Sequence, residues 1–211
     1  MPTVFGWNLE VMPSIPAAPA TIQYRPNPIV GMTDSDFNGR QQTYNWQGGF
    51  WEWSLSFGPI AEEDYPDWQG FIVALEGTSS VFQFGDPRRA SPRGVVSGLP
   101  RVLGADVVGS DLTSFGWTAN TSNILRRGDY IQVGYRLHTV KRDVNSDADG
   151  EATIPIWPPI REALNTGSPP IVESIITSNT KGLWRLKQNS VDIQLDDERN
   201  YHLVLDIREA I

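Results

Sequence analysis

Cysteine is absent from the 211 residues of this sequence. A disulfide framework and a metal site built from cysteine thiolates are therefore excluded. Long apolar runs are absent too, and without the roughly 18 consecutive apolar residues of a membrane-spanning helix we expect no membrane insertion. Residues 1–20 lack a basic stretch followed by an uninterrupted apolar run, so we expect no signal peptide and synthesis in a cytoplasm.

Basic residues are in the minority, because 17 Lys and Arg stand against 25 Asp and Glu, giving a formal net charge of -8. This balance argues against a dedicated nucleic-acid-binding protein, whose surface would be basic. It still allows a ring or tube through which nucleic acid passes, because an acidic wall repels phosphate. Hydrophobic residues make up 39% of the chain, which is enough to bury a core in one large domain or two small ones.

Recognisable catalytic motifs are also missing. The sequence contains no G-x-S-x-G, H-E-x-x-H or P-loop pattern. His138 and His202 have no neighbouring ligand at metal-binding spacing, and the carboxylates show no spacing that favours a glycosidase pair. We therefore expect no enzyme activity, no catalytic residue, no cofactor and no metal site.

Short apolar runs separated by turn residues dominate the sequence, which contains 19 glycines and 16 prolines. This punctuation is typical of β-sandwiches and small barrels. The sequence predicts a mainly β fold, with a β-sandwich carrying one packed α-helix and a small β-barrel-like domain that is inserted or C-terminal. We expect strands at 80–86, 101–108, 129–134, 136–144, 152–157, 182–188, 190–195 and 201–208.

The clearest local pattern lies at 41–57. Two alternating runs flank Gly48-Gly49, which predicts a hairpin that turns at the glycines. Because side chains alternate along a strand, one face of the second run is apolar and carries Trp51, Trp53, Leu55 and Phe57.

One segment, 64–77, has a strong helix pattern. Asp64 suits the cap position, Pro66 the first turn and Gly77 the end. One helical face carries Trp68, Phe71, Ile72 and Leu75. We expect this face to lie over the apolar face of the hairpin.

The composition changes along the chain in a way that predicts its organisation. Residues 1–20 are proline-rich and predict an extended N-terminal arm without internal structure. Residues 21–87 resemble 179–211 in texture, which predicts one sandwich domain completed by the C-terminal strands. Residues 88–178 would then be an inserted barrel-like domain. The alternative is two domains in series, divided near residue 90.

Two short motifs invite a functional interpretation. Arg127-Gly128-Asp129 matches an adhesion tripeptide, but a Gly-Asp pair between strand-like runs is better explained as a turn. Residues 143–156 resemble a calcium loop. Its closing position is occupied by Ile156 instead of glutamate, so a turn with clustered acids is the better interpretation and a weak cation site the alternative.

Some aromatic and basic side chains are candidates for contacts with other molecules. The eight tryptophans are more than one thin sandwich clearly needs, although core packing is the simpler explanation for most of them. A small basic cluster in this acidic protein suggests a contact with the acidic stretch 196–198 of another copy. The candidate contact residues are Trp7, Trp46, Trp51, Trp53, Trp184, Arg88, Arg89 and Arg93.

A longer pattern carries a family resemblance. In residues 46–87 a tryptophan-bearing hairpin precedes a helix that ends in Leu-x-Gly, and a Phe-x-x-Gly-Asp-Pro run follows. The likeness continues through "GLPRVLGADVVGSDLTSFGW" and "LRRGDYIQVGYRLHTVKRDVNSDADGEATIPIWPPIRE". Over residues 40–211 the sequence resembles tail-tip structural proteins of tailed bacteriophages, which are similar to the distal tail protein family.

The resemblance implies a structural virion protein located in the tail, at its tip or baseplate. In that family a β-sandwich with a helix forms a hexameric ring, and an additional β-domain projects outward to carry fibres or receptor-binding parts. The implied partners are further copies of the chain, the tail tube protein, and tip hub or tail fibre proteins. DNA would only pass through the ring during genome ejection.

Other functions remain compatible with the residues. Exposed tryptophans on a β-module also suit a carbohydrate-binding or receptor-binding protein. A hydrolase of cell wall or polysaccharide would need a close carboxylate pair. A head-to-tail connector or tail-completion protein would share the small β-fold and the ring assembly.

Overall fold

The computed structural model describes residues 2–16, 18–166 and 172–211. Strands account for 51% of the chain and helices for 6%, so the predicted mainly β fold with one α-helix is confirmed. The elements are β1 (Thr3–Val4), β2 (Trp7–Glu10), β3 (Thr21–Asp34), β4 (Gln41–Ile60), α1 (Tyr65–Leu75), β5 (Val81–Phe84), β6 (Gly98–Val102), β7 (Val107–Trp117), β8 (Tyr130–Val133), β9 (Arg136–Val140), β10 (Glu151–Leu164), β11 (Ile175–Ile176), β12 (Gly182–Leu186), β13 (Asp192–Leu195) and β14 (Tyr201–Glu209).

Strands from both ends of the sequence form one large, eight-stranded sheet. Its order is β1-β2-β5-β12-β14-β4-β3, and β13 pairs with the first half of β14. The pairs are antiparallel except β2–β5, which is parallel. One face of the sheet is apolar because Trp53, Leu55 and Phe57 alternate along β4, as predicted, and lie in the main core.

Strands β6 to β11 form a second sheet that curls into a nearly closed barrel. Their order is β11-β8-β9-β10-β7-β6. The two ends of this order meet, because Arg101 of β6 forms a bridge with Ser174 and the Val102 N–H donates to the Glu173 carbonyl at 2.9 Å. The barrel has its own core of aliphatic side chains, including Leu112, Ile131, Val140, Ile154 and Ile156.

The two sheets share part of one core. Tyr130 and Leu137 of the barrel lie in the same buried cluster as Trp51 and Trp53 of β4. The large sheet thus combines strands from before and after the middle segment, and the middle segment forms the barrel, as an insertion would require. The domain boundaries near 87–88 and 178–179 stay a prediction.

Helix α1 lies on the apolar face of the large sheet, as the sequence predicts. The Trp68 ring lies 4.5 Å from that of Phe57, and Phe71 lies edge-on to Phe82 of β5 at 5.4 Å. Asp64 occupies the cap position, but its side chain accepts no capping hydrogen bond. The helix ends as Glu76 and Gly77 adopt left-handed conformations, with φ of 48° and 66°.

The hairpin predicted at Gly48-Gly49 is wrong. Residues 41–60 form one continuous strand, β4, and the hairpin partner is β3, joined through a turn at 35–40. The glycines serve close packing instead of a turn. A Cβ on Gly48 would lie 2.6 Å from Ile29 Cδ1, and one on Gly49 would lie 3.1 Å from Trp157 Nε1.

The prediction that residues 1–20 form an arm without internal structure is corrected. Met1 and Ala17 lie outside the described residues. β1 and β2 form a small hairpin, and β2 extends the large sheet beside β5. Trp7 and Leu9 pack against a buried cluster that includes Val4 and Val81. The alternating apolar residues thus form strands ahead of Pro13, and contacts within the same chain hold this segment.

We predict that Trp51→Ala lowers the free energy of unfolding by about 3–5 kcal/mol, because the buried indole contacts both sheets and its loss leaves a cavity. Trp46→Ala is the matched control, since Trp46 is exposed and its loss should change stability by about 0.5 kcal/mol or less. Urea titration of both variants under dilute, monomeric conditions measures the difference. Equal stability of the two variants would contradict the assignment of Trp51 to the shared core.

Candidate interaction surfaces

The strand pair β3–β4 extends beyond the large sheet. β14 pairs with β4 only from Glu52 to Ile60, whereas β3 follows β4 back to Gln41. The segment 28–49 is therefore a two-stranded structure closed by the turn at 35–40, and we call it the ribbon. Its strands pair with each other and with no further described strand.

The ribbon exposes apolar side chains on both faces. Tyr44 and Trp46 alternate on β4 and share one face, while Met32, paired with Thr43, lies on the other. Met32 and Trp46 are 60% and 62% exposed. The exposed apolar residues of the ribbon are Ile29, Val30, Met32, Tyr44 and Trp46, with Phe37 at the turn.

The ribbon has no core of its own. None of the buried clusters formed by the described residues includes a side chain from the ribbon. A two-stranded ribbon alone in water is marginally stable, and contiguous exposed apolar surface is typical of an interaction site. At its base, however, the ribbon is anchored, since the Trp157 ring of the barrel packs edge-on against Trp51 at 4.5 Å.

The tripeptide Arg127-Gly128-Asp129 forms a tight turn before β8. Asp129 is only 3% exposed, and its carboxylate accepts the backbone N–H groups of Arg93, Gly94 and Arg126 at 3.1, 3.1 and 2.8 Å. Gly128 has a φ of 89°, which favours glycine. The aspartate therefore holds two chain segments together and is not presented to a receptor.

A basic cleft lies next to this turn and includes Arg127. Four arginines and one acid line an open volume of about 600 Å³, and we call it the arginine cleft; its residues are Arg93, Arg126, Arg127, Arg142 and Asp143. The Asp143 carboxylate accepts the Arg127 N–H at 2.8 Å, and Arg93 approaches Asp129 at 3.4 Å. Among the described residues, Arg126, Arg127 and Arg142 form no ion pair.

The structure separates the three arginines that the sequence grouped. Arg93 lines the cleft. Arg89 lies beside it, with its guanidinium 4.3 Å from the centre of the Tyr130 ring and a hydrogen bond to the Gly128 carbonyl. Arg88 instead donates to the carbonyls of Pro19 and Ala20 at 3.0 and 2.8 Å, which ties down the N-terminal segment.

The other three arginines of the cleft, Arg126, Arg127 and Arg142, were not predicted from the sequence. A usable signal existed, because basic residues occur in adjacent pairs at 88–89, 126–127 and 141–142. The sequence alone does not show the loop packing, organised by Asp129, that brings Arg93 next to the pair at 126–127.

For three of the candidate contact tryptophans the structure corrects the expectation. Trp51, Trp53 and Trp184 are buried in the core and offer no surface to a partner. The Trp184 Nε1–H also donates to the Phe84 carbonyl at 2.8 Å. Trp7 is half-buried, and the Arg185 guanidinium stacks on it, 4.3 Å from the centre of the Trp7 ring. Trp46, on the ribbon, is the candidate with a free ring.

The acidic segment at 143–156 is a loop that turns at 148–150 and continues as the first residues of β10. The Asp147 Oδ1 accepts the N–H groups of Asp149 and Glu151 at 3.0 and 2.8 Å, and Asn145 accepts the Asn123 N–H at 2.7 Å. In the described parts of the chain, no group of three or more His, Asp and Glu side chains is arranged to hold a metal ion.

Several ionisable groups meet where the barrel joins the large sheet. Glu209 accepts the Trp51 N–H at 3.2 Å and pairs with Arg161 at 3.5 Å, and burial raises the pKa of Glu209. The His138 Nδ1–H donates to the Pro158 carbonyl at 2.7 Å. Burial, together with the positive charges of Arg161 and Arg136, lowers the pKa of His138 to about 4, although the hydrogen bond to Pro158 acts in the opposite direction. The cavity here is about 30 Å³, enough for one water but too small for a substrate.

The comparisons with known proteins add no relative. No protein-family model matches the chain, and no curated protein matches its sequence. Across the described ranges, no helix has the length and apolar character needed to cross a membrane.

We predict that His138 makes the fold less stable as the pH falls from about 6.5 to about 4. The unfolded chain binds a proton at His138 in this range, whereas the folded chain does not, so stability rises with pH there. The full effect of the lowered pKa is up to about 3 kcal/mol. Urea titrations at several pH values should show a shallower pH dependence for His138→Gln than for the wild type, with His202→Gln as the control. Parallel curves for His138→Gln and the wild type would contradict this assignment.

Proposed function

We propose that this protein is a structural subunit of a bacteriophage tail tip, a ring-forming protein of the distal tail type. It would join the tail tube to tip or fibre proteins in the virion tail and let DNA pass during ejection. The proposal assigns no catalytic activity. Its basis in the sequence is the resemblance over residues 40–211, and the observation that supports it best is the ribbon.

The ribbon supports self-association for two physical reasons. Apolar side chains on both of its faces, such as Met32 and Trp46, lose water contact only when another molecule covers them. The ribbon is also anchored at its base by Trp157, so its orientation is set before another copy binds. Association then costs little conformational entropy in the ribbon. A segment that reaches from one subunit over the next suits a closed ring of identical copies.

Two further features agree with a tail ring. The nearly closed barrel, built from strands between 98 and 176, suits the additional β-domain that carries other tip proteins in the distal tail family. The net charge of -8 suits a lumen that DNA crosses without binding.

A second candidate function is supported by the aromatic face of the ribbon. Tyr44 and Trp46 stand two positions apart on β4, on the same side and in solvent. Aromatic rings in this arrangement stack on sugar rings as well as on protein, so a carbohydrate-binding or receptor-binding module would use the same side chains.

We predict that the purified wild-type chain forms a closed ring of about six copies. The ribbon variant Met32→Ser/Trp46→Ser should be monomeric with an unchanged circular dichroism spectrum, because it removes apolar contact without touching a core. Leu99→Ser/Val73→Ser is the matched control, since both side chains are exposed outside the ribbon, and it should keep the ring. Light scattering gives the mass, and negative-stain imaging of the same peak shows whether the particle is closed.

Two results would contradict the proposal. One is a ring that the ribbon variant forms as readily as the wild type does. The other is a wild-type chain that stays monomeric at every concentration tested. If that monomer also shows tryptophan fluorescence quenched by a glycan, and Trp46→Ala abolishes the quenching, the carbohydrate-binding function replaces the ring.

A further inference from the structure

We propose that the arginine cleft receives the acidic turn of a neighbouring copy, residues 196–198 between β13 and β14, so that subunits associate head to tail through charge pairing. The inference rests on the proposed function only in requiring self-association. It adds a second, polar contact to the apolar contact of the ribbon.

The cleft is a site with excess positive charge. Arg126, Arg127 and Arg142 face solvent without an anionic partner among the described residues, inside a protein whose formal net charge is -8. Arg93 is 63% exposed, and the carboxylate it approaches, that of Asp129, already accepts three backbone N–H groups. The guanidinium groups therefore retain most of their capacity to bind carboxylates.

The cleft is also organised before any partner arrives. The Asp129 carboxylate fixes the backbone at Arg93 and Arg126, two of the cleft arginines. The Arg93 guanidinium donates to the Arg127 carbonyl, which sets the two loops against each other. A partner that binds here does not have to order these loops, and this lowers the cost of association.

The acidic turn has the complementary charge and a defined shape. The Asp196 Oδ1 accepts the N–H groups of Glu198 and Asn200 at 2.9 and 2.8 Å, so the turn is held by its own backbone. These hydrogen bonds lower the pKa of Asp196, which keeps it charged. Asp197 and Glu198 point into solvent.

The acidic turn does not stand alone. The start of α1 lies beside it, because the rings of Tyr65 and Tyr201 stack at 3.7 Å. This segment adds Glu62, Glu63, Asp64 and Asp67 to the negative charge. Two basic side chains lie nearby. Arg199 is 3.6 Å from Glu62, and His202, which is a cation only when it is protonated, is 3.1 Å from Asp196.

The cleft and the acidic turn do not neutralise each other within one subunit. No ion pair among the described residues connects them. The barrel meets β4 at Trp51, whereas Tyr201, which follows the acidic turn, pairs with Ile60 at the far end of β4. Trp51 and Ile60 are nine positions apart on β4, so the two ends are separated by as much as about 30 Å. Complementary surfaces that are separate on one copy form a heterologous contact, which closes a ring or extends a filament.

A charge exchange tests this contact. The cleft variant is Arg127→Glu/Arg142→Glu, the turn variant is Asp197→Lys/Glu198→Lys, and a third variant carries all four changes. Either pair of changes alone places like charges at the contact and should weaken association about tenfold or more at low ionic strength. The four-change variant restores opposite charges and should associate nearly as the wild type does. So should an equimolar mixture of the cleft variant and the turn variant.

The matched control is Arg101→Glu/Lys181→Glu, which changes the same charge at exposed positions outside the cleft and should leave association unchanged. Concentration-dependent light scattering at low and high salt measures all the variants, and circular dichroism verifies that each is folded. Loss of association in the cleft variant without rescue by the four-change variant or the mixture would overturn the inference, and so would a turn variant that behaves as wild type.

This experiment separates the charge contact from the proposed function. A ring that persists in both charge variants, but is lost in the ribbon variant, overturns the charge contact and leaves the tail-ring proposal standing. The cleft variant and the wild type can also be tested for binding of free polyphosphate. If the cleft binds polyphosphate and the chain associates independently of the acidic turn, the cleft serves another anion and the inference is overturned.

Discussion

The packing of Trp51 between the large sheet and the barrel is the contact on which the rest of the arrangement depends. Its ring meets Trp157 of the barrel at 4.5 Å, and Tyr130 and Trp53 lie within 6.4 and 6.2 Å. Because Trp51 lies on β4, the strand that also enters the ribbon, one aromatic cluster fixes the barrel against the sheet and sets where the ribbon leaves the body of the protein.

Both candidate surfaces lie close to this joint. The ribbon begins two positions before Trp51, where Gly49 passes close to Trp157. The arginine cleft lies on the barrel just before Tyr130, whose ring centre is 6.4 Å from that of Trp51 and 4.3 Å from the Arg89 guanidinium. Close packing at this joint favours a constant orientation of the apolar ribbon relative to the basic cleft, which the proposed ring of identical copies would require.

Local patterns in the sequence predicted the parts of the fold that depend on local physics. The 64–77 pattern predicted α1, and the alternation of Tyr201, Leu203, Leu205 and Ile207 predicted β14, because each carries one apolar face at the right period. The failure at Gly48-Gly49 has a tertiary cause. A glycine pair permits a turn and also permits close approach, and here the continuous pairing with β3 and the nearby Ile29 and Trp157 side chains require the close approach.

The candidate surfaces could be predicted from the sequence less well than the fold. The sequence does not show that Trp46 is exposed on the ribbon whereas Trp53, on the same strand, is buried in the core. The difference arises because the part of β4 that pairs with β14 packs its Trp53 face into the main core, whereas the part that carries Trp46 extends beyond β14 as the ribbon. The arginine cleft likewise combines loops that are far apart in the chain and are joined by the buried carboxylate of Asp129.

The most direct test of the account is an electron-microscopy reconstruction of the assembled wild-type particle at a resolution that separates strands. The account predicts a closed ring in which the ribbon of each subunit lies against the next copy, with Trp46 covered. A reconstruction in which the ribbon projects freely into solvent while other surfaces form the subunit contacts would contradict it.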